Sequence, residues 1–161
     1  MLTIRSARPD DEAALLPIHL ATWTSDVSPG ATPDPAGPLL DAETLRDVLV
    51  AEEDGVVRGY VRLHQPGPLP SHAHVLVLDG LAVDPERQGR GLGRRLISAA
   101  LDEARGRGAR KVSLRVLAPN VRARRSYEAC GFAVEGVLRQ EFLLNDEYVD
   151  DLVMACPLDG A

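Results

Sequence analysis

The chain has 161 residues, of which 45% are hydrophobic and 26% are charged, and its formal net charge at pH 7 is −6. This length fits one domain over residues 1–161, and no apolar run is long enough to cross a bilayer. The negative charge argues against nucleic acid or an anionic membrane as a partner, because both select a positive surface, and it suits a cationic or amine substrate.

The first part of the chain predicts a strand, two helices and a β-hairpin. Residues 2–7 alternate like a strand and carry no secretory signal, so we expect a cytoplasmic protein. A loop rich in proline and glycine follows the first helix at residues 28–38, and Asp54 and Gly55 form a tight hairpin turn. The predicted helices span residues 9–23 and 41–49, and the hairpin strands span residues 49–53 and 56–64.

The rest of the chain alternates strands and helices. A long strand over residues 74–83 leads into a glycine-rich loop and a helix, and Asn120 caps a later helix that Gly131 ends. The remaining predicted elements are helices over residues 91–107 and 120–130 and strands over residues 111–117, 132–143 and 148–158. The order β-α-α-β-β-β-α-β-α-β-β indicates an α/β fold of the mixed α+β kind, with helices on the faces of a mixed sheet.

The glycine-rich loop, within residues 83–96, is the most informative segment. Glycines at 89, 91 and 93 remove side chains from one rim, so backbone N–H groups can turn toward a phosphate at the positive end of the helix. Arg94 stands where a dinucleotide fingerprint starting at Gly89 needs glycine, and the Gly-Lys-Ser/Thr ending of a Walker loop is absent. The loop therefore predicts an anion cradle of another kind.

Two motifs in this chain resemble those of one family. Gln88-x-x-Gly91-x-Gly93, just after Val83-x-Pro85, resembles the acyl-CoA pyrophosphate motif of the GNAT N-acetyltransferase superfamily. The second motif, Asn120-x-x-Ala123-x-x-x-Tyr127-Glu128-x-x-Gly131-Phe132, resembles the second cofactor-binding helix of that family and its exit. The resemblance implies a central mixed, mostly antiparallel sheet with splayed central strands, and acetyl-CoA (CoA) as the cofactor.

The resemblance also implies which residues hold acetyl-CoA. Backbone groups of Leu81 and Val83 would meet the pantetheine arm, and Asn120 would either bind a pantetheine amide or cap its helix. One or two arginines would reach phosphate, Arg94 first among them. The arginine clusters are Arg87, Arg90, Arg94 and Arg95 around the loop and Arg122, Arg124 and Arg125 on the later helix. The pyrophosphate would meet the backbone of Gln88, Gly89, Arg90, Gly91, Leu92, Gly93 and Arg94.

Tyr127 is the residue that the resemblance places beside the departing CoA sulfur. It lies two helical turns beyond Asn120, so the two side chains share a face; the alternative is a tyrosine of the core. A free phenol has a pKa near 10 and a thiol near 8.5, so complete proton transfer to sulfur costs about 2 kcal/mol. We therefore expect the hydroxyl to stabilise the thiolate by a hydrogen bond.

The attacking amine must be neutral, which costs about 4 kcal/mol at pH 7.4 for a lysine-like amine unless a base removes the proton. Asp79 matches the position of an acidic residue in many family members and could act through water; alternatively, it fixes a kink with Gly80. His72 and His74 are candidate relays. The candidates for amine recognition are Glu135, Asp150 and Asp151.

Cys130 and Cys156 are predicted to be buried, unpaired thiols without a metal, because neither has a ligand partner at metal-binding spacing. No base accompanies Cys130, so we expect direct transfer without a covalent enzyme intermediate. The predicted function is N-acetyl transfer to a primary amine, which is a small amine, an amino acid or a protein N-terminus. The alternative is a non-catalytic acyl-CoA sensor or interaction domain, and a homodimer is compatible with both.

Overall fold

The computed structural model describes residues 1–158, in which a seven-stranded sheet has the order β1-β2-β3-β4-β5-β7-β6. Every neighbouring pair is antiparallel except β4 and β5, which are parallel. This arrangement confirms the mixed, mostly antiparallel sheet. The strands are β1 (Leu2–Ser6), β2 (Val48–Glu53), β3 (Val56–His64), β4 (Val75–Val83), β5 (Lys111–Leu117), β6 (Ala133–Leu144) and β7 (Glu147–Pro157).

Three α-helices accompany the sheet: α1 (Glu12–Thr22), α2 (Leu92–Gly106) and α3 (Val121–Glu128). Alternation along β2 sorts the two main helices onto opposite faces, because successive strand side chains point to opposite sides. Leu49 and Ala51 join the buried cluster that contains α2, whereas Val48 and Val50 join the cluster that contains α1. None of the helices in residues 1–158 is long and apolar enough to cross a membrane.

The predicted helix over residues 41–49 is wrong. Asp41 does cap the segment, since its Oδ1 accepts a hydrogen bond from the Thr44 amide at 2.7 Å. Only one 3₁₀ turn, Thr44–Asp47, follows before β2 begins at Val48. The β-branched residues of β2 pair with β1 and β3 on both sides, and this sheet pairing ends the turn.

Both predicted tight turns are present. Asp54 and Gly55 have φ values of 51° and 80°, and Asn145 and Asp146 have φ values of 51° and 63°. Positive φ at both central residues matches the right-handed twist of the strands on either side. Residues 28–38 have no regular structure, and Leu39, just beyond them, donates its amide to Glu12 at the start of α1 at 2.8 Å.

The start of α1 is tied to the sheet by a buried carboxylate, Asp11. Its two carboxylate oxygens accept from the two terminal nitrogens of Arg5 on β1 at 2.7 and 2.9 Å, and Oδ2 also accepts the Arg8 amide. The Arg5 guanidinium, in turn, pairs with Glu52 on β2. The hydrogen bonds from Arg5 lower the pKa of Asp11 against the opposing effect of burial.

The strands β4 and β5 separate along most of their length, which confirms the splay. They pair only where Val75–Val77 meets Lys111–Ser113. Farther along β4, the register against β3 shifts so that Gly80 and Leu81 lie opposite Val61 alone, which is a β-bulge. Gly80 has a φ of 62° there. Leu81 therefore has no paired residue on either neighbouring strand.

Candidate active site

The splay between β4 and β5 opens into a cleft of about 770 Å³. Its walls are the end of α1 and the segment after it, β4 with the glycine-rich loop, β5 with α3, and the β6–β7 hairpin. Most residues predicted for the site line this one cleft: Asp79, Leu81, Val83, Arg87, Gln88, Gly89, Gly91, Leu92, Gly93, Arg94, Asn120 and Tyr127. Arg90 instead lines a separate cavity of about 220 Å³.

The glycine-rich loop presents a run of free amides. Gly89 and Gly91 have φ values of 76° and 80°, and Gly91 is the N-cap of α2. The backbone N–H groups from Gly89 to Arg94 donate to no described residue, whereas the Arg95 amide is already bonded to the Gly91 carbonyl. Free amides at the positive end of a helix fit a pyrophosphate.

Gly93 differs from the other two loop glycines. It is helical, without positive φ, and a Cβ added there would approach Val83 Cγ2 at 3.8 Å, an ordinary contact. A glycine is therefore required by backbone conformation at 89 and 91 but not at 93.

Gln88 ties the loop to the end of β4. Its Nε2 donates to the Val83 carbonyl at 3.0 Å, and its Oε1 accepts from Arg122 at 2.8 Å. The Val83 carbonyl thus already has a protein partner, and Leu81 offers the unpaired backbone at the splayed edge.

The arginines around the loop have different environments. Arg87 donates Nε to Glu53 on β2 at 2.6 Å, so its charge is compensated from outside the cleft. Arg94 lines the cleft, and its guanidinium contacts no described acceptor. On α3, Arg124 pairs with Glu128 at 3.4 Å. Of the arginines in the loop, Arg94 is the cleft-lining side chain left available to a phosphate.

Asn120 divides its two predicted roles between its two side-chain atoms. The side-chain oxygen accepts from the Ala123 amide at 3.2 Å and so caps α3. The side-chain nitrogen donates to no described residue and remains available in the cleft. The cap and a ligand contact are therefore compatible.

Tyr127 is buried and also lines the cleft. The residue is 8% exposed, and its ring packs edge-on against Phe132, with ring centroids 5.7 Å apart. Burial, helped by the negative charge of Asp79, raises the pKa of Tyr127 to about 12. The hydroxyl forms no hydrogen bond with any residue in 1–158, so it is free to donate to a ligand.

Asp79 contacts a histidine that the sequence did not single out. Its Oδ2 lies 3.0 Å from His64 Nε2 and 3.8 Å from an Arg62 nitrogen. Its Oδ1 is covered yet has no hydrogen-bond partner among the described residues. The predicted relays, His72 and His74, are exposed, contact each other's rings and do not line the cleft.

His19 and Tyr60 form a second pair that the sequence analysis missed. His19 Nδ1 lies 2.8 Å from the Tyr60 hydroxyl, and both residues line the cleft. Burial lowers the pKa of His19, so its imidazole is neutral at pH 7. The position of His19 on the last turns of α1, facing the sheet, was the available signal.

Arg115 and Asp151 form the charged floor of the cleft beneath the hairpin. Arg115 donates Nε to the buried Asp151 and Nη2 to Glu141 at 3.0 Å, and its guanidinium lies 5.7 Å from the centre of the Phe142 ring. Among the three acidic candidates for amine recognition, Asp151 alone lines the cleft. Glu135 pairs with Lys111 at 2.7 Å, and Asp150 accepts the Gln140 amide at 2.8 Å.

A bridge joins the segment after α1 to the β6–β7 turn. The Asn145 side-chain nitrogen donates to Ser25 Oγ at 3.0 Å and approaches Asp26 at 3.4 Å. Val27 and Ser28, next in the chain, line the cleft, as does Phe142 on β6. The bridge therefore connects two walls of the cleft, although Asn145, Ser25 and Asp26 do not themselves line it.

Both cysteines are unpaired, as predicted. Cys156 is buried and Cys130 is half-buried, and burial raises the pKa of both thiols. A thiol that holds its proton is a poor nucleophile, so the structure gives neither cysteine the environment of an acyl carrier.

Comparison with known proteins identifies the family of this chain. The model of the acetyltransferase (GNAT) family matches residues 14–132. The L-amino acid N-acyltransferase MnaT of Escherichia coli is 31% identical over 98% of this chain and 95% of its own length. The L-methionine sulfoximine/L-methionine sulfone acetyltransferase of Salmonella typhimurium is 30% identical over the same shares.

A solved structure repeats the fold with a ligand. The putative acetyltransferase yncA from Salmonella typhimurium, with its cofactor acetyl-CoA, superposes with a TM-score of 0.82 at 26% identity, over 100% of this chain and 96% of that chain. The family match covers most of the chain, and the free amides of the loop supply a phosphate cradle. The chain therefore belongs to the acetyltransferase (GNAT) family, and it is an acetyl-CoA-dependent N-acetyltransferase.

Proposed function

We propose that the acceptor is the amino group of a small free amino acid or a closely related small amine that carries a carboxylate. The observation that carries this proposal is the bridge from Asn145 to Ser25 and Asp26. It joins two walls of the cleft, whereas a polypeptide acceptor needs an open groove in which its chain can continue. The names of the two full-length relatives support the same class.

The acceptor side of the cleft offers groups for each part of an amino acid. Asp79, whose side chain is 44% exposed, provides a carboxylate in the cleft for the amine. Arg115 Nη1 has no hydrogen-bond partner among residues 1–158 and is the group for the carboxylate. Trp23, Val27 and Phe142 provide apolar surface for a side chain.

The proposed reaction is direct. The neutral amine nitrogen attacks the thioester carbonyl carbon and the C–N bond forms. The nitrogen, positively charged after the attack, loses one proton to solvent, and the C–S bond breaks with its electron pair left on sulfur. Tyr127 donates a hydrogen bond to the sulfur as the charge develops there. With a pKa of about 12 it is a weaker acid than a thiol near 8.5 by a margin of about 5 kcal/mol, so it stabilises the thiolate while solvent supplies the proton.

A matched amine panel tests the acceptor class. L-Methionine sulfone and free L-amino acids are compared with the corresponding amino acid amides and with a hexapeptide that begins with alanine, and CoA release is confirmed by product mass. We expect kcat/KM for the free amino acids to exceed that of the amides and the peptide by at least tenfold, because only the free acids present a carboxylate to Arg115. A preference for the peptide would assign the enzyme to protein N-termini instead.

A further inference from the structure

The His64 ring, at the end of β3, has an acceptor facing each of its nitrogens. Nδ1 lies 2.9 Å from the Gln65 carbonyl oxygen, and Nε2 lies 3.0 Å from Asp79 Oδ2. A carbonyl oxygen can only accept, so Nδ1 carries a hydrogen. Nε2 therefore presents either a proton or a lone pair to the carboxylate of Asp79.

The contact at Nε2 is favourable only if one proton lies between the two groups. An imidazolium donating to a carboxylate satisfies it, and so does a neutral imidazole accepting from a carboxylic acid. A neutral imidazole beside an ionised carboxylate leaves two lone pairs facing each other at hydrogen-bond distance. This last state gains a hydrogen bond only when one proton is added between the two groups.

Three further groups act on the pair. Arg62, also on β3, places a positively charged nitrogen 3.8 Å from Asp79 Oδ2. Tyr60 on β3 and Tyr127 on α3 are buried, and burial followed by the charge of Asp79 raises the pKa of both phenols. Both tyrosines therefore stay neutral, and the proton that moves in this region belongs to His64 and Asp79.

We propose that His64 and Asp79 share one proton and that the pair, rather than Asp79 alone, is the base that deprotonates the acceptor amine. Asp79 lines the cleft and is the catalytic residue, and its Oδ2, which faces His64 Nε2, is the atom that takes the proton of the ammonium. His64 is a positioning residue that acts through Asp79. This inference rests on the small-amine function proposed above.

The step balances in protons and electrons. One N–H bond of the ammonium breaks, its electron pair stays on nitrogen, and the pair of residues gains one proton that comes to rest between Oδ2 and Nε2. The lone pair on nitrogen then attacks the thioester. Between turnovers the proton returns to solvent through Asp79, whose side chain is 44% exposed.

Sharing the proton makes the carboxylate a better base at working pH. An isolated carboxylic acid loses its proton near pH 4 and an imidazolium near pH 6.5, and general bases act best when they titrate near the pH of the reaction. A carboxylate linked to an imidazole takes the amine proton against a smaller free-energy difference than a carboxylate alone.

Imidazole NMR tests the shared proton without substrate. Long-range ¹H–¹⁵N spectra of the full-length protein give the tautomer and titration midpoint of His64, with His74 as an internal control in the same spectra. We expect Asp79→Asn to lower the midpoint of His64 by at least about one pH unit, a tenfold loss of proton affinity, and to leave His74 unchanged. Equal midpoints for His64 in the two proteins would overturn the proposal.

The pH profile of kcat/KM with acetyl-CoA and L-methionine sulfone tests the catalytic role. His64→Gln retains a donor to Asp79 but cannot titrate, so we expect the acid limb to move down by at least one pH unit while the rate at pH 8 falls about tenfold. His74→Gln is the matched control and should reproduce the native profile. A uniform loss of rate at every pH would make His64 a packing residue and would overturn the proposal.

Two remaining outcomes are also decisive. If the acid limb moves in His19→Gln and not in His64→Gln, the base is His19 and the proposal is wrong. If the NMR shift is found but L-methionine sulfone is not acetylated, the proposed acceptor class is wrong. The shared proton is still supported in that case, because the NMR measurement needs no substrate.

Discussion

Tyr127 holds its proton more tightly than a free phenol does, and this fixes what it can contribute to the reaction. Its pKa of about 12 results mainly from burial, and its hydroxyl has no hydrogen-bond partner among residues 1–158. A donor in the lining of the cleft without a protein partner can form a hydrogen bond to a thiolate as charge develops on the sulfur. We therefore expect the interaction to be specific to the transition state.

Tyr127→Phe should lower kcat by about ten- to a hundredfold and leave acetyl-CoA affinity nearly unchanged, because the variant keeps the ring and loses no ground-state hydrogen bond. Rapid-mixing measurement of the acetyl-transfer step and calorimetry with CoA separate the two effects. Tyr148→Phe, which changes an exposed phenol on the hairpin, is the matched control. Full activity under conditions where chemistry limits the rate would reduce Tyr127 to a residue of the core.

At the scale of elements, the shape of the glycine-rich loop depends on backbone conformation more than on side chains. The amides from Gly89 to Arg94 can converge on one anion because Gly89 and Gly91 adopt positive φ. The side chains nearby mostly bond to the protein, as Gln88 does to Val83 and Arg87 does to Glu53.

Gly91→Val should weaken CoA binding at least tenfold, because a β-branched residue strongly disfavours a φ of 80° and would rotate the amides away from the pyrophosphate. Calorimetric titration with CoA measures the change. Gly108→Val imposes the same kind of strain at the far end of α2, where φ is 76° and space is open, and should leave CoA affinity intact. Equal loss in both variants would mean that general destabilisation, and not the loop, is responsible.

Asn145→Gly should raise the KM of the amine several-fold and narrow the preference for free amino acids over the peptide. Glycine keeps the turn, since φ is 51° there, but removes the hydrogen bonds to Ser25 and Asp26. Steady-state kinetics with both acceptors, together with the CoA dissociation constant, measure the effect. Asp146→Gly alters the neighbouring turn residue, also at positive φ, and should change none of these quantities.

The sequence predicted correctly the turns and helices whose structure depends on neighbouring residues. Asp54-Gly55 and Asn145-Asp146 determine their turns through positive φ, and the spacing of Leu96, Ile97 and Ala100 determines the buried face of α2. The short 3₁₀ turn that begins at Thr44 could not be predicted from local sequence, because it ends where β2 pairs with strands on both sides.

The parts of the site that escaped prediction depend on register. His64 meets Asp79 because the bulge at Gly80 shifts β4 against β3, so that Arg62 lies opposite Asp79 and His64 lies opposite Val77. The spacing between two sequence-distant residues contains no information about such a shift. Arg115, likewise, acquires its role from Asp151 on β7 and Glu141 on β6.

At the scale of the whole molecule, the cluster of Arg5, Asp11 and Glu52 holds α1 against the sheet and so holds His19 in the wall of the cleft. Asp11 is 8% exposed and has a lowered pKa, owing first to its hydrogen bonds with Arg5. A carboxyl whose pKa is lower in the folded state stabilises that state above the unfolded pKa, near 3.9, and this stabilisation is lost as pH falls through the folded value.

Asp11→Asn should lower the free energy of unfolding at pH 7 by about 1 to 3 kcal/mol, because charge-assisted bonds to Arg5 are replaced by weaker ones. The difference from the native protein should be constant above about pH 5 and should shrink progressively as pH falls through the lowered pKa of Asp11. Urea unfolding across this range measures it. Asp10→Asn, one residue earlier and exposed, should unfold like the native protein at every pH; a difference that stayed constant into acid would assign the effect to packing.

The three-residue contact between β4 and β5 has a mechanical consequence. Beyond Val75–Val77, β4 and β5 are not paired, so a gap separates β1–β4 from β5–β7. The backbone at Leu81 faces this gap. A pantetheine arm lying there would take the place of the missing strand and link the two edges. We therefore expect acetyl-CoA binding to slow amide exchange along both edges, and its departure after each turnover to speed that exchange again.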